Sequence, residues 1–145
     1  MAQQPQKIPF RLMHNVIALQ VRVNGKGPYT FVLDTGAGKT VLLPSLAKEL
    51  GLTLTPLSQE TATGAGGSLQ VSIGTVDQIE IERTVVKDLQ VAVLDLSGVE
   101  AKVGERIGGV IGYDVLSRFE VAINYRDLWV SLRQLPPLLE IGPPV

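Results

Sequence analysis

Asp34 closes an apolar run, Phe31-Val32-Leu33, and is followed at once by Thr35-Gly36-Ala37. A carboxylate delivered by a core strand into a turn made tight by glycine can serve as a general acid or base. Set beside a second carboxylate at hydrogen-bonding distance, it cannot ionise easily together with its neighbour, so the two share one proton. The ionised member then accepts a proton from water while the protonated member polarises a carbonyl, and the water attacks without a covalent intermediate. Asp-Thr-Gly occurs once in the 145 residues, so a second such carboxylate has to come from a second copy of the chain. Gly36 would let backbone N–H groups approach the carboxylates, and the Thr35 hydroxyl could bond the partner loop and lock the pair. Taken alone, an Asp-Thr-Gly also fits a plainer role, with Asp34 capping a turn.

The same loop supports a rival chemistry. Gly36-Ala37-Gly38-Lys39-Thr40 imitates the end of a phosphate-binding P-loop, and Val91-Ala92-Val93-Leu94-Asp95 imitates the strand and acid that would hold magnesium. A P-loop needs glycine five positions before Gly38, where this chain has Leu33, and Asp34 beside it would repel phosphate. Pro44 would also break the long helix that the P-loop lysine must open. Asp95 is the single in-chain candidate for a twin of Asp34, since Val93-Leu94-Asp95 echoes Val32-Leu33-Asp34. Leu96-Ser97 replaces Thr-Gly there, and a second catalytic loop would need a supporting lobe for which the length leaves no room, so Asp95 reads as a strand end.

Composition excludes other classes. Thirteen basic against 14 acidic residues give a net charge of −1, with no basic run to serve nucleic acid or a membrane surface. The absence of cysteine removes disulfides, thiolate catalysis and zinc-thiolate sites together. His14, the only histidine, sits at the entry to a strand and reads as a surface position rather than a member of a triad. No metal or cofactor is implied. No apolar run reaches the roughly 20 residues of a membrane span. Residues 2–6 would also suit the remnant of a trimmed leader, which leaves the compartment open to an exported or membrane-anchored precursor.

Positioning elements follow from periodicity and punctuation. Residues 16–23 alternate Leu19, Val21 and Val23 with Gln20 and Arg22, the period of a half-buried strand. Asn24-Gly25 turns it, and residues 29–33 return as a strand apolar enough to enter the core. Pro44 and Gly51 bracket a short helix with Leu46, Ala47 and Leu50 on one face. Residues 61–67 read as the glycine-rich tip of a hairpin, 78–82 and 85–94 as strands, and 97–108 as a loop. Gly109-Val110-Ile111-Gly112 is an apolar step between glycines, followed at 114–119 by a second short helix that Asp114 caps. Residues 119–132 close the chain as a hairpin around Arg126-Asp127, on which Tyr125 and Trp129 read as core or dimer-edge aromatics. The expected domain runs over 15–133, between an N-terminal tail, 1–14, and a proline-rich C-terminal tail, 134–145.

Three features in this order resemble the retropepsin-like aspartic peptidases, the single-lobe relatives of retroviral proteases found also in bacteria. They are the strand with Asp34-Thr35-Gly36-Ala37, the glycine-rich hairpin at 61–67, and Val110-Ile111-Gly112 followed by Asp114, Val115 and Leu116. The resemblance covers about 16–132 and implies an all-β closed acid-protease barrel with a ψ-loop and two short helices, dimeric, its active site at the interface. It further implies an endopeptidase in which Asp34 of each subunit activates water on a bound peptide. Thr35 would be the cross-dimer clamp, Gly36, Ala37 and Gly38 the active-site loop, and Thr63, Gly64, Ala65, Gly66 and Gly67 the flap over the substrate. Val110, Ile111 and Gly112 would support the ψ-loop. A catalytically silent peptide-binding or dimerisation module on the same fold is the alternative.

The chain departs from the retroviral pattern. Retroviral proteases usually carry acids after Asp-Thr-Gly-Ala and an arginine after the apolar-apolar-Gly step, where Gly38, Lys39 and Tyr113 stand here. The interior ion pair is therefore missing, and Lys39 could pair with Asp114 instead. Ala37 cannot donate to the carboxylate as serine or threonine could, which points to a mildly rather than strongly acidic optimum.

Overall fold

A computed structural model of the chain describes residues 6–57, 62–64 and 67–135. Along them run β1 (Lys7–Pro9), β2 (Arg11–Met13), β3 (Val16–Val23), β4 (Lys26–Leu33), β5 (Val41–Leu42), α1 (Pro44–Glu49), β6 (Thr55–Pro56), β7 (Ala62–Gly64) and β8 (Gly67–Leu69). There follow β9 (Ser72–Ile81), β10 (Thr84–Val93), α2 (Ser97–Val103), β11 (Gly109–Ile111), α3 (Tyr113–Leu116), β12 (Phe119–Asn124) and β13 (Trp129–Gln134).

Asn24 and Gly25, with φ of 52° and 77°, form the two-residue turn that joins β3 to β4, since Val23 pairs directly with Lys26. Pro44 opens α1 and Gly51, at φ 69°, ends it. Tyr29 donates to Glu49 at 2.6 Å and so fastens α1 to β4; this bond to a carboxylate also holds the phenol above its ordinary value.

Strand pairing runs β3-β4-β11-β5-β10-β9, and a further β3–β9 pairing closes the six strands into a barrel. Within it β11 inserts between β4 and β5, which are consecutive in the chain, lying parallel to the first and antiparallel to the second. This is the ψ arrangement. Residues 34–40 must therefore bridge from β4 to β5 around the end of β11. Phe31, Leu33, Ile111, Leu19, Ile79 and Val91 meet in the barrel interior, where burying side chains of this size contributes about 1.5–3 kcal/mol each.

Three local expectations are corrected. Residues 7–13 are no tail: β1 pairs with β13, β2 pairs with β3, and Ile8 and Phe10 are buried. Long-range pairing won over the local signals of Pro9 and of the polar residues 2–6 that precede the segment. Residues 97–108 hold α2 as well as loop; Leu96, Val99 and Val103 carry a helical period that the glycines at 98, 104 and 108 obscure. The helix after Gly112 starts one residue earlier than expected and stops at Leu116, so Asp114 lies inside its first turn rather than at its cap.

His14 lies in the β2–β3 turn at φ 53°, exposed. Trp129 is half-buried under the Lys7 ammonium, 5.1 Å from its ring centroid, and Tyr125 packs edge-on against Phe10. Thr63, Gly64 and Gly67 lie on the β7–β8 hairpin, in which Gly64 pairs with Gly67; Ala65 and Gly66 lie outside the described residues, as does the C-terminal segment 136–145. Among the described residues no helix is long and apolar enough to cross a membrane, and no cluster of three or more His, Cys, Asp or Glu gathers that could hold a metal ion.

Candidate active site

Pairing of β4 with β11 does not end at Leu33: the Asp34 N–H donates to the Ile111 carbonyl at 3.0 Å. Asp34 is thus the last rung of a parallel ladder, and the chain turns directly after it. The Ala37 N–H returns to the Asp34 carbonyl (3.2 Å), and the Gly36 N–H donates to Asp34 Oδ1 (2.9 Å). A Cβ at position 36 would stand 3.2 Å from that oxygen, so glycine permits the approach. Asp34, Thr35 and Gly36 are exposed, while Ala37 is half-buried. The outcome is a carboxylate oriented by its own turn and open to whatever docks on this surface.

The far half of the loop is anchored by a residue that local sequence patterns did not single out. Thr40, fully buried, donates from its N–H to Asp114 Oδ2 (3.0 Å) and from its hydroxyl to Asp114 Oδ1 (2.7 Å). The same hydroxyl accepts from the Gly112 N–H (3.1 Å), and the Thr40 carbonyl accepts from Ala92 (3.0 Å). Asp114 also accepts from its neighbour's Val115 N–H. A carboxylate holding three donors has no call on Lys39, which bonds Gln90 at 3.1 Å instead of pairing with Asp114. Together with Tyr113 N–H to the Ala37 carbonyl (2.7 Å), these bonds lash the Asp34 loop to the start of α3.

Thr40→Val keeps the shape but removes the hydroxyl, leaving the Gly112 N–H and one Asp114 oxygen without that partner in a largely dry site. A loss of about 2 kcal/mol is expected, read as a lower midpoint in urea with an unchanged slope. A change below about 0.5 kcal/mol would show that the hydroxyl does not anchor the loop.

Ile111 accepts from the Asp34 N–H and Gly112 donates to the Thr40 hydroxyl, so both are bonded to the loop. Gly38 is exposed. Asp95 is not brought to Asp34 as a twin loop: its Oδ1 accepts from the Ser97 N–H at 2.9 Å in a local turn ahead of α2. The phosphate reading fails structurally too, because the helix after the loop is the six-residue α1, which begins at Pro44.

Residues 19–115 match a family model described as aspartyl protease. No curated protein sequence matches the chain. Among solved structures, a retropepsin-like aspartic protease from Rickettsia conorii aligns with a TM-score of 0.65 at 22% identity, over 88% of this chain and 98% of that one. The retroviral protease-like domain of Ddi1 from Leishmania major aligns with a TM-score of 0.54 at 14% identity, over 83% and 94%. At such identities the two likenesses establish the fold. The family match spans well over half of the sequence and includes the Asp34 loop and the Val110-Ile111-Gly112 step, so the chain belongs to the aspartyl protease family and has a retropepsin-like fold.

Proposed function

We propose that the protein is an aspartic endopeptidase whose dyad is made of one Asp34 from each of two chains. The observation that carries this reading is the exposed Asp34 carboxylate, held by the Gly36 N–H at the end of a core strand in a chain of this family. Asp95 is held in a turn by Ser97 and Asp114 by Thr40, so among the described residues neither is a comparable partner for Asp34. One Asp34 takes the proton of a water while its twin, protonated, polarises the peptide carbonyl.

Thr35 bonds the partner's loop in this scheme, Gly36, Ala37 and Gly38 meet the substrate backbone, and the hairpin at 63–67 closes over the peptide, adding it as a strand. Val110, Ile111 and Gly112 brace the loop from behind. The reaction so read calls on no metal or cofactor.

A dimeric site makes activity depend on concentration in a way that a site within one chain does not. Cleavage of a quenched peptide, followed across a dilution series, should show specific activity falling in proportion to the dimer fraction seen by sedimentation. Undiminished specific activity in a sample that sediments as monomer would overturn the two-chain dyad.

A further inference from the structure

The strand ladder of the barrel is interrupted beside β9. β10 pairs with β9 along one side, but on the other side β9 meets β6 only at Ser72 and Ile73 and β3 only at Ile79 and Glu80. Asn24 covers part of the interval, its Oδ1 accepting from the N–H groups of Asp77 (2.7 Å) and Gln78 (3.1 Å). Thr75 sits in the remaining gap. A sheet edge left open in this way offers backbone groups to an extended chain that docks on it.

A cavity of about 510 Å³ occupies this gap, within the range of ordinary small-ligand sites. Val76 on β9 and Leu89 and Val91 on β10 are buried in the barrel interior, so alternation turns Thr75, Asp77 and Gln90 to the outer face. With Asn24, Thr53 and Thr55 they give the cavity its polar lining. The segment 50–55, leading from α1 to β6, forms the facing wall; it passes so close that a Cβ on Gly74 would stand 2.9 Å from Leu54 Cδ2.

Charge is distributed unevenly along the cavity. Among the described residues Asp77 is the one ionised side chain in the lining. Gln90 stands opposite Thr75, two residues or about 7 Å along β9 from Asp77, and its Oε1 accepts from Lys39 Nζ at 3.1 Å. An ammonium has three donors, so Lys39 keeps two for a ligand at that end. The cavity thus offers an anion at one end, a cation beyond the other, and hydroxyls, amides and an open strand edge between. An extended peptide of two or three residues has matching poles, its ammonium and carboxylate about 7–10 Å apart. A polyol lacks these poles, and a polyamine would meet Lys39.

We propose that this cavity binds a short peptide with both termini free, its ammonium on Asp77, its backbone along the Thr75 edge and its carboxylate toward Gln90 and Lys39. Such peptides are what an endopeptidase releases, and for that source the proposal rests on the peptidase reading of Asp34. The occupant bridges β6 and β9, the strands before and after the β7–β8 hairpin, and engages Lys39 of the 34–40 loop. Bound product thereby slows cleavage from outside the Asp34 cleft.

Trialanine is the probe. Titrated into the full chain carrying Asp34→Asn and followed by amide chemical shifts, it should move Thr55, Thr75, Asp77 and Gln90 together and saturably. Acetylating its N-terminus, amidating its C-terminus or introducing Asp77→Asn should each weaken binding by about three- to tenfold. No saturable shift at these four residues, or equal binding of the doubly blocked peptide, would overturn the site. In wild type, saturating trialanine should slow cleavage of a quenched peptide by about fivefold, whereas Asp77→Asn, equally active without trialanine, should resist it. Absence of inhibition, or inhibition of equal strength in both, would remove the regulatory role. Should wild type cleave nothing while Asp77-dependent binding persists, the peptidase reading fails and the site stands.

Discussion

Asp34→Asn is expected to abolish cleavage of a denatured protein mixture, lowering kcat/KM by at least about 10⁴-fold, while the barrel and its thermal midpoint stay essentially unchanged. The amide matches the carboxylate in shape and keeps an oxygen for the Gly36 N–H, so the turn is preserved. What it loses is proton chemistry: an amide can neither take a proton from water nor hold one to give to a carbonyl. Each of these two roles is worth roughly 10²–10⁴ in rate, and a symmetric dyad loses both in both copies. Asp34 is exposed, so stability should move by no more than about 0.5 kcal/mol. Mixed dimers with one wild-type chain should be as inactive as the doubly substituted ones. Cleavage that survives the substitution would remove Asp34 from the mechanism; peptide binding with no turnover by wild type would favour the silent module instead.

The second large effect is structural and falls on Gly112→Ala. A Cβ there would lie 2.7 Å from the Lys39 carbonyl carbon and oxygen and 2.8 Å from the Ala37 oxygen. These are backbone atoms, unable to swing aside as the tip of a side chain could. Relief would have to come from moving the 34–40 loop or the start of α3. Either displacement strains the Gly112-to-Thr40 and Tyr113-to-Ala37 bonds that join them. We expect a loss of about 3 kcal/mol or more, at the upper end for overpacking, measured by denaturant unfolding. Because the displaced loop is the one bearing Asp34, the fraction that still folds should show reduced kcat. A variant with stability within about 1 kcal/mol of wild type would show that the loop and the β11–α3 corner can separate at little cost.

Much of the architecture is visible in local sequence because its causes are local. The alternation over 16–23, the Asn24-Gly25 turn and the Pro44 and Gly51 brackets each act within a few residues and reappear at or near their expected bounds. Asp34 is legible for the same reason: an apolar strand meeting Thr-Gly carries its own geometry. Thr40 shows where this stops. Nothing near Thr40 in the chain announces that it will be fully buried, because its partner Asp114 is 74 residues away and reaches it only once β11 has entered between β4 and β5.

The two misread segments have the same physical cause. Residues 7–13 carry Ile8, Phe10, Leu12 and Met13, but Pro9 interrupts them, and they become two three-residue strands only by pairing with edges supplied by β13 and β3. α2 is too short and too near glycine to be a stable helix in water, and it is held by packing Val103 against Val32 and Val110. The sequence by itself thus determined the strand over 16–23, the Asn24-Gly25 turn, the Pro44 and Gly51 brackets and the identity of the candidate acid, since short-range sterics and period suffice for these, while the barrel class followed from the resemblance that its motifs carry. Only the tertiary structure decided what anchors that acid's loop and where α2 packs, because both depend on contacts between segments that are adjacent only after the barrel closes.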